Sequence, residues 1–479
     1  SDLTFGGFVV LSSPLKPGTK KTIRVLLQSL HRLIMITGDN EYTACEVAMK
    51  SGMSARMPEQ SLILQKITGS VNGGSGSGSD SYRLAWTRVN GGDSKPVPFV
   101  RKELEKMGRE NMLCVAGSAL EKLAEEDVAE IVKYATVFAR VSPRHKERLI
   151  IHLKRIDTVL MCGDGSNDVG ALRRADVGIS VVNNPMFERK SRTAAKKALH
   201  AKRDAKRKYT SGRSSKSRSA PARNAFESDN VILELGDASL ASPFTSKLPS
   251  IKCAIDIIRQ GRCTLVTTVQ MYKVLGVNCL VTAYSLSTLH LYGVKQGDSQ
   301  ATAFAIIVSV LFLLNARSKP TNKLSASVPP QSIFEFREIC SIFGQVTINF
   351  FCMLYLIGEC DKHILPHDPS MERDGDFRPN LINSALYLMS CTTTINSFMF
   401  NYTGLPYMES FFQNKAFSRF CIVALGLTFL ASFGWFPPLN DYLELVEIEN
   451  DDLAMKMSGT YLANTVLMFV WQKICMFKK

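Results

Sequence analysis

Six apolar segments in the second half of the chain place the strongest constraint on its fold. They are near the roughly 20 residues that a helix needs to cross a bilayer, although the second and sixth are shorter. The segments are Leu265–Tyr292, Thr302–Asn315, Ile339–Ile357, Leu381–Phe400, Phe417–Phe436 and Tyr461–Cys475. Helices in the core of a soluble protein would each carry a polar face, and these segments mostly do not. Residues 264–479 are therefore predicted to form an all-α bundle of six transmembrane helices.

The charged residues between the apolar segments predict which side of the membrane they face. Arg317, Lys319 and Lys323 follow the second segment, and Lys415 and Arg419 lie at the end of the fourth loop. The loops after the third and fifth segments are rich in Asp and Glu instead. Because cytosolic loops carry an excess of Lys and Arg, we expect the basic loops and everything before residue 264 to face the cytosol.

Residues 1–185 alternate strand and helix patterns. The predicted strands are Phe8–Leu11, Arg32–Ile36, Thr136–Ala139, Thr158–Cys162 and Val177–Val181, and the predicted helices are Pro17–Leu30, Glu41–Gly52 and Pro143–Arg155. This alternation is typical of an α/β domain with a parallel, doubly wound sheet. Ligands bind such sheets at the carboxyl ends of the strands, and the loops 37–40 and 163–168 both follow strands.

Two low-complexity segments interrupt this pattern. Residues 71–79 (VNGGSGSGS) are predicted to be a flexible loop. Residues 186–228 are poor in apolar side chains, and the stretch 188–223 within them carries about +12 of the net charge of +15, which predicts a disordered or loosely helical insertion. Because the rest of the chain is close to neutral, its basic composition does not indicate nucleic-acid binding, and we expect no nucleic-acid partner.

The sequence GDGSND at 163–168 contains two carboxylates, Asp164 and Asp168, in a glycine-rich loop after a strand. Mg²⁺ prefers hard oxygen ligands and takes few of them from protein when phosphate and water complete its shell. The glycines allow the backbone to approach a ligand closely. The loop therefore suits a magnesium site beside a phosphate, although an ordinary Gly/Asp/Asn turn would look the same.

Two further features suit phosphate chemistry. In MITGDN at 35–40, Thr37 and Gly38 can hold phosphate oxygens with a hydroxyl and a backbone N–H at the start of a helix. Lys146, on the helix between the two loops, can neutralise the charge of a phosphoryl group. Taken singly, TGDN also suits a helix cap, and Lys146 also suits a solvated helix surface.

Taken in order, these motifs resemble the P-type ATPases. TGDN, then FARVSP with Lys146, then GDGSNDVGAL, then transmembrane segments, is the order of that family's phosphorylation domain and membrane half. The resemblance implies a haloacid-dehalogenase-like α/β fold, with ATP and Mg²⁺ as cofactors. It also implies roles for the matching residues: magnesium binding for Asp164 and Asp168, phosphate contact for Thr37, Gly38 and Asp39, phosphate neutralisation for Lys146, and phosphate-site and hinge positions for Asn167 and Asp168.

The DKTGT motif that carries the family's phosphorylated aspartate does not occur in this sequence. We therefore expect a C-terminal fragment that alone neither forms nor hydrolyses an aspartyl phosphate. Its expected domains are a partial phosphorylation domain with a remnant of the nucleotide domain (1–185), the insertion (186–228), the end of the phosphorylation domain with a stalk (229–263), and the membrane domain (264–479).

The stretch LGDASLASPFTSKLPSI at 235–251 and SPLKP at 13–17 are similar to the type V, subclass A, P-type ATPases. This implies a multi-pass enzyme of the endoplasmic-reticulum membrane that removes or reorients misinserted transmembrane helices. Its partners would be membrane lipid and a transmembrane-helix polypeptide, and we expect a monomer. Asn278 and Asp298 are candidate substrate contacts; an interhelical hydrogen bond and a solvated loop position are the respective alternatives.

Two other functions stay open from the sequence. One is a P-type pump for a small cation or a polyamine, although the first two apolar segments contain no Asp or Glu to bind a cation at mid-membrane. The other is a non-catalytic, regulatory fragment. Lys273, which lies in the first segment, is expected near its cytosolic end with its amine reaching to water.

Overall fold

The computed structural model describes Gly7 and residues 14–54, 60–68, 82–89, 95–182, 242–364, 377–448 and 450–477. The predicted strand Phe8–Leu11, the loop at 71–79, the insertion at 186–228 and most of the acidic loop after the third apolar segment lie outside these residues. The chain divides into two units between Ile257 and Ile258.

Six strands form the larger sheet of the first unit. They are β1 (Met35–Ile36), β2 (Ser61–Thr68), β3 (Tyr82–Arg88), β4 (Val97–Pro98), β5 (Met112–Ala116) and β6 (Val137–Ala139). Their order is β1-β6-β5-β2-β3-β4, parallel as far as β2 and antiparallel beyond it. The expectation of a purely parallel sheet is therefore wrong for β3 and β4. The sequence between β2 and β3 has no helical pattern, and strands joined without a crossover helix pair antiparallel.

The second sheet is parallel and contains β7 (Leu160–Gly163), β8 (Val177–Val181) and β9 (Phe244–Ser246), in that order. The two motif loops therefore follow strands of different sheets, whereas the sequence pattern predicted a single sheet. β1 and β7 are both edge strands of their sheets, and no strand of the described chain pairs with their outer edges.

Seven helices accompany these sheets in the described part of the first unit. They are α1 (Thr19–Gln28), α2 (Glu41–Ser51), α3 (Leu104–Glu110), α4 (Gly117–Leu120), α5 (Glu125–Tyr134), α6 (Pro143–Lys154) and α7 (Val169–Arg174). The predictions for α2 and α6 are confirmed to within a residue, because both helices have strong start signals. Asn40 caps α2 by accepting from the N–H of Tyr42, and Ser142 caps α6 with Pro143 as the first helical residue.

One apolar core of the first unit joins strands and helices from both sheets. Val115 and Phe138 of the larger sheet lie in the same buried cluster as Leu149 of α6 and Ala171 of α7, and Met161 of β7 packs against it. Burying these side chains removes apolar surface from water and fixes α6 and α7 against the strands. The core thereby sets the positions of the two helices that flank the motif loops.

The described part of the second unit is helical apart from one isolated β-bridge. Its helices are α8 (Lys252–Leu291), which begins before the unit boundary, α9 (Asp298–Ala316), α10 (Phe336–Asp361), α11 (Leu381–Phe400), α12 (Lys415–Ser432), α13 (Pro437–Tyr442) and α14 (Asp451–Phe477). Among the described residues, α8, α9, α10 and α12 are long and apolar enough to cross a membrane. The six-span topology stays a prediction for α11 and α14, which are long enough but are not in this group.

The polar residues of α11 have partners inside the bundle. This helix is buried along most of its length. Thr393 donates a hydrogen bond to Oδ1 of Asn349 on α10 (2.6 Å), and Asn464 on α14 donates to the same oxygen (2.8 Å). A helix surrounded by other helices can carry such groups, because hydrogen bonds between helices satisfy them. These bonds therefore allow α11 to carry polar side chains inside the bundle.

Candidate functional site

The loop after β1 is held by the turn that follows β6. The N–H of Thr37 donates to the carbonyl of Phe138 (2.9 Å), and the N–H of Val141 donates to the carbonyl of Thr37 (3.0 Å). The N–H of Arg140 donates to the carbonyl of Asp39 (2.9 Å), and the N–H of Asp39 donates to Oγ1 of Thr37 (3.0 Å). Main-chain bonds therefore fix the loop, while Gly38 and Asp39 stay exposed.

Arg140 and Gly117 shape this turn, and sequence reasoning missed both. Arg140 has a φ of 50°, in the left-handed region that non-glycine residues rarely adopt. A Cβ at Gly117 would lie 2.0 Å from the carbonyl oxygen of Arg140, so only glycine fits there. The guanidinium Nε of Arg140 lies 3.3 Å from Oε2 of Glu41 in the first turn of α2. Nothing in the local sequence signals these contacts, which join distant parts of the chain.

In the loop after β7, the side chain of Asp168 points into the protein. Asp168 ends a short 3-10 turn, Ser166–Asp168, that leads into α7, and it is buried. A Cβ at Gly163 would lie 2.7 Å from both Cβ and Oδ2 of Asp168. The N–H of Gly165 points to Oδ2 of Asp168 at 3.5 Å. Gly163 therefore makes room for the inward carboxylate.

Lys146 on α6 meets this carboxylate. Its ammonium nitrogen lies 2.8 Å from Oδ1 of Asp168, and both side chains are buried. A buried charge needs a partner of opposite sign, and each of these groups supplies it to the other. Helix α6 therefore links the two motif loops. The turn before the helix is hydrogen-bonded to Thr37, and Lys146 within the helix forms the ion pair with Asp168.

The other predicted site residues are less constrained. Asp164 and Asn167 are exposed, and the carboxylate of Asp164 makes no hydrogen bond or ion pair with another described residue. No hydrogen bond of the described chain joins Thr37 to Asp164. The structure therefore brings Lys146 and Asp168 together, and the convergence of Thr37 and Asp164 on one phosphoryl group stays a prediction.

The donor set fits a magnesium ion that arrives with a phosphate. Within the described ranges, no group of three or more His, Cys, Asp or Glu side chains could hold a metal ion. Asp164 offers one exposed carboxylate, whereas the charge of Asp168 is already balanced by Lys146. Mg²⁺ commonly takes one or two carboxylates and completes its shell with phosphate and water. Asp164 is thus the better candidate ligand of the two.

Asp176 fixes the start of β7. Its Oδ2 accepts from the N–H of Val159 (2.8 Å), and its Oδ1 lies 3.0 Å from the ammonium of Lys154 at the end of α6. The hydrogen bond from Val159, together with Lys154, lowers the pKa of the Asp176 carboxyl below its ordinary value. The ionised carboxylate therefore ties α6 to the strand that carries Asp164.

Relatives of the chain place it in a family. No family model matches the chain. It is 36% identical over 481 residues to a probable manganese-transporting ATPase, PDR2, of Arabidopsis thaliana, covering 94% of this chain and 39% of the relative. It is 32% identical over 536 residues to the endoplasmic reticulum transmembrane helix translocase of Saccharomyces cerevisiae, covering 96% of this chain and 43% of that relative. The polyamine-transporting ATPase 13A2 of Homo sapiens is 27% identical, with the match covering 89% of this chain and 32% of that relative.

The chain belongs to the type V, subclass A, P-type ATPases. It spans about two fifths of the length of the more similar relatives. Like the helix translocases of this subclass, it is a multi-pass protein of the endoplasmic-reticulum membrane, and its four membrane-capable helices agree with that location.

The membrane unit of this subclass A ATPase places Lys273 and Asp298 differently from the sequence expectation. Lys273 does not reach to water: it is buried on α8, with its ammonium 2.7 Å from Oε2 of Glu338 on α10. No sequence signal reveals this pair, because its members are far apart in the chain. Asp298 is the first residue of α9, exposed, rather than a loop residue. Oδ1 of Asn278 is buried without a hydrogen-bond partner in the described chain.

Proposed function

We propose that this chain is part of an ATP-driven translocase that extracts or reorients misinserted transmembrane helices. The buried Lys146–Asp168 pair, at the carboxyl end of the strand that carries Asp164, is the observation that carries the proposal. It provides a buried, neutral pair in the same loop region as an exposed carboxylate, an arrangement that suits phosphoryl transfer. The client, a transmembrane helix, is inferred from the similarity to proteins named transmembrane helix translocases.

The nucleophile in this proposal is an aspartate in a segment outside this sequence. Its carboxylate would attack the γ-phosphorus of ATP with ADP as the leaving group, and water would later hydrolyse the acyl phosphate. β1 and β7 each have an outer edge without a partner in the described chain. A further parallel strand that carries the nucleophile could pair with either edge or with both. Such a strand would end on the same side as the loops 37–40 and 163–168. The chain alone would be inactive.

In the proposed haloacid-dehalogenase-like fold, Lys146 and the β1 loop would orient the phosphoryl group. The ammonium of Lys146 has three N–H donors, and one suffices for Asp168. The others would donate to phosphoryl oxygens. The hydroxyl of Thr37 and the N–H of Gly38 would hold further oxygens, and Asn167 would contact the phosphate from the β7 side. Asp164 would hold Mg²⁺, which neutralises charge on the transferring group when bound.

The second unit suits an apolar client better than a cation. The apolar part of α8 and all of α9 beyond its first residue contain no Asp or Glu. The buried carboxylate of Glu338 is neutralised by Lys273. Asn278 and Asp298 would contact the client helix, the first within the membrane and the second at its lumenal side. We expect the protein to act as a monomer within membrane lipid. A cation or polyamine pump is the second candidate, favoured by the similarity to a probable manganese-transporting ATPase and to a polyamine-transporting ATPase.

The test is an assay of the whole gene product that contains this sequence, reconstituted in liposomes. We expect Mg²⁺-dependent ATP hydrolysis, a hydroxylamine-sensitive phosphoenzyme, and ATP-dependent removal of a model transmembrane helix. Lys146→Met should abolish phosphoenzyme formation, whereas Lys154→Met, which removes an exposed lysine of the same helix, should not. Stimulation by Mn²⁺ or a polyamine with no effect of the helix would establish the pump instead. Phosphorylation of the isolated chain would refute the external nucleophile.

A further inference from the structure

A cavity of about 530 Å³ lies within the second unit. Helices α8, α10 and α14 form its walls together with residues 327–331, which lead towards α10, and residues 403–407, which follow α11. Five polar side chains of its lining are themselves buried: Gln270, Lys273, Glu338, Ser341 and Gln472. Buried polar groups from several separate segments are the usual composition of a ligand site.

The Lys273–Glu338 ion pair in this lining has unused hydrogen-bonding capacity. Oε2 of Glu338 is the one acceptor that the ammonium of Lys273 contacts in the described chain, and no described residue donates to Oε1 of Glu338. A buried ion pair is favourable only when further hydrogen bonds satisfy its remaining donors and acceptors. The cavity offers the space for a ligand that supplies both a donor and an acceptor.

The mouth of the cavity carries a second pair of opposite charges and apolar surface. Glu335 and Arg337 line the cavity and are exposed, and Arg337 makes no ion pair with another described residue. Val328 and Leu405, which also line it, are 65% and 62% exposed. This mouth lies at the N-terminal end of α10, which is long and apolar enough to cross a membrane.

We propose that this cavity binds a phosphoethanolamine group. Lys273 and Arg337 would hold the phosphate, and Glu338 and Glu335 would accept from the primary ammonium. Two cations and two carboxylates balance each other, so a zwitterion fits the charges better than a simple anion or cation. The group can come from phosphatidylethanolamine, whose acyl chains would leave past Val328 and Leu405, or from free phosphoethanolamine. The site does not depend on the proposed transport function.

The first test measures thermal unfolding of the delipidated full chain in detergent, with added phosphatidylethanolamine, phosphatidylcholine or phosphoethanolamine. We expect phosphatidylethanolamine to raise Tm at a concentration about tenfold lower than phosphatidylcholine, because a quaternary ammonium has no N–H for the carboxylates. Glu338→Gln should remove this preference. Glu359→Gln is the matched control, because it breaks ion pairs at the other end of the same helix and should keep the preference.

The measurement with free phosphoethanolamine distinguishes the two sources of the group. Stabilisation by free phosphoethanolamine would show that the head group is sufficient, and stabilisation by the lipid alone would show that acyl chains are needed; both support the site. Equal effects of the two lipids on the wild-type chain, or a preference that survives Glu338→Gln, would overturn it. Should that variant not fold, a photoreactive phosphatidylethanolamine on the wild-type chain decides: labelling must map to residues 327–331 or 403–407, and labelling elsewhere refutes the site.

Discussion

The ammonium of Lys146 lies 2.8 Å from Oδ1 of Asp168, and the two residues come from different elements, on α6 and immediately before α7. Because each charge balances the other, the pair is close to neutral, and the exposed Asp164 lies in the same loop as Asp168. An arriving phosphate and its metal would then meet one free carboxylate rather than two, which avoids repulsion between like charges. The pair therefore links the stability of the first unit to its candidate chemistry.

Lys146→Met is expected to destabilise the chain by about 3–5 kcal/mol, because it leaves the buried carboxylate of Asp168 without a counter-charge. Removing both charges with Lys146→Met and Asp168→Leu should recover much of this loss. Lys154→Met breaks a partly exposed ion pair on the same helix and should cost less than about 1 kcal/mol. Denaturant unfolding of the full chain in detergent measures all three. Equal losses for the two single variants would contradict the assigned burial.

Gly163→Ala is expected to destabilise the first unit by about 1–3 kcal/mol, since its methyl group would overlap the side chain of Asp168. Gly165→Ala is the control from the same loop. Its Cβ would have no neighbour closer than 3.8 Å, and the φ of −110° at Gly165 is open to alanine. Thermal unfolding of both variants checks this difference, and a tolerated Gly163→Ala would show that Asp168 turns elsewhere.

Local signals in the sequence predicted the parts of the site that depend on local structure. The starts of α2 and α6, which Asn40 and Ser142 cap, were predicted correctly, and the strand β8 was predicted with its observed bounds. The glycine-rich sequence at 163–168 correctly indicated a tight loop after a strand. Each of these features depends on neighbours within about four residues, so a sequence pattern contains them.

Contacts between distant residues could not be predicted in this way. The division of the strands into two sheets depends on which edges pair, and a strand pattern does not encode its partner. The left-handed Arg140 and its contact with Gly117 depend on a packing arrangement across the sheet. Lys273 was predicted to reach water because the sequence does not indicate that Glu338 lies beside it. The structure supplies these non-local relationships.

The carboxyl of Asp176 is expected to make stability depend on pH below about 4. Its folded-state pKa is lowered, so the ionised form is stabilising above the ordinary value of about 3.9, and this contribution is lost as the pH falls towards the folded pKa. Asp176→Asn should therefore lower the unfolding midpoint at pH 7, with a difference from wild type that shrinks on acidification. A difference that does not change between pH 7 and pH 3 would contradict the ionic role.

The contact between α10 and α14 depends on a glycine. A Cβ at Gly344 would lie 2.0 Å from Cε2 and Nε1 of Trp471, whose indole N–H donates to the carbonyl of Cys340 (3.3 Å). Gly344→Ala should displace the indole, break that hydrogen bond and destabilise the second unit by about 1–3 kcal/mol. Gly358→Ala on the same helix has open space around its Cβ and should be neutral or stabilising, because alanine favours helix. Thermal unfolding in detergent, with tryptophan fluorescence as the probe, distinguishes the two. Adding Trp471→Leu should relieve the overlap in Gly344→Ala, and failure of that rescue would refute the contact.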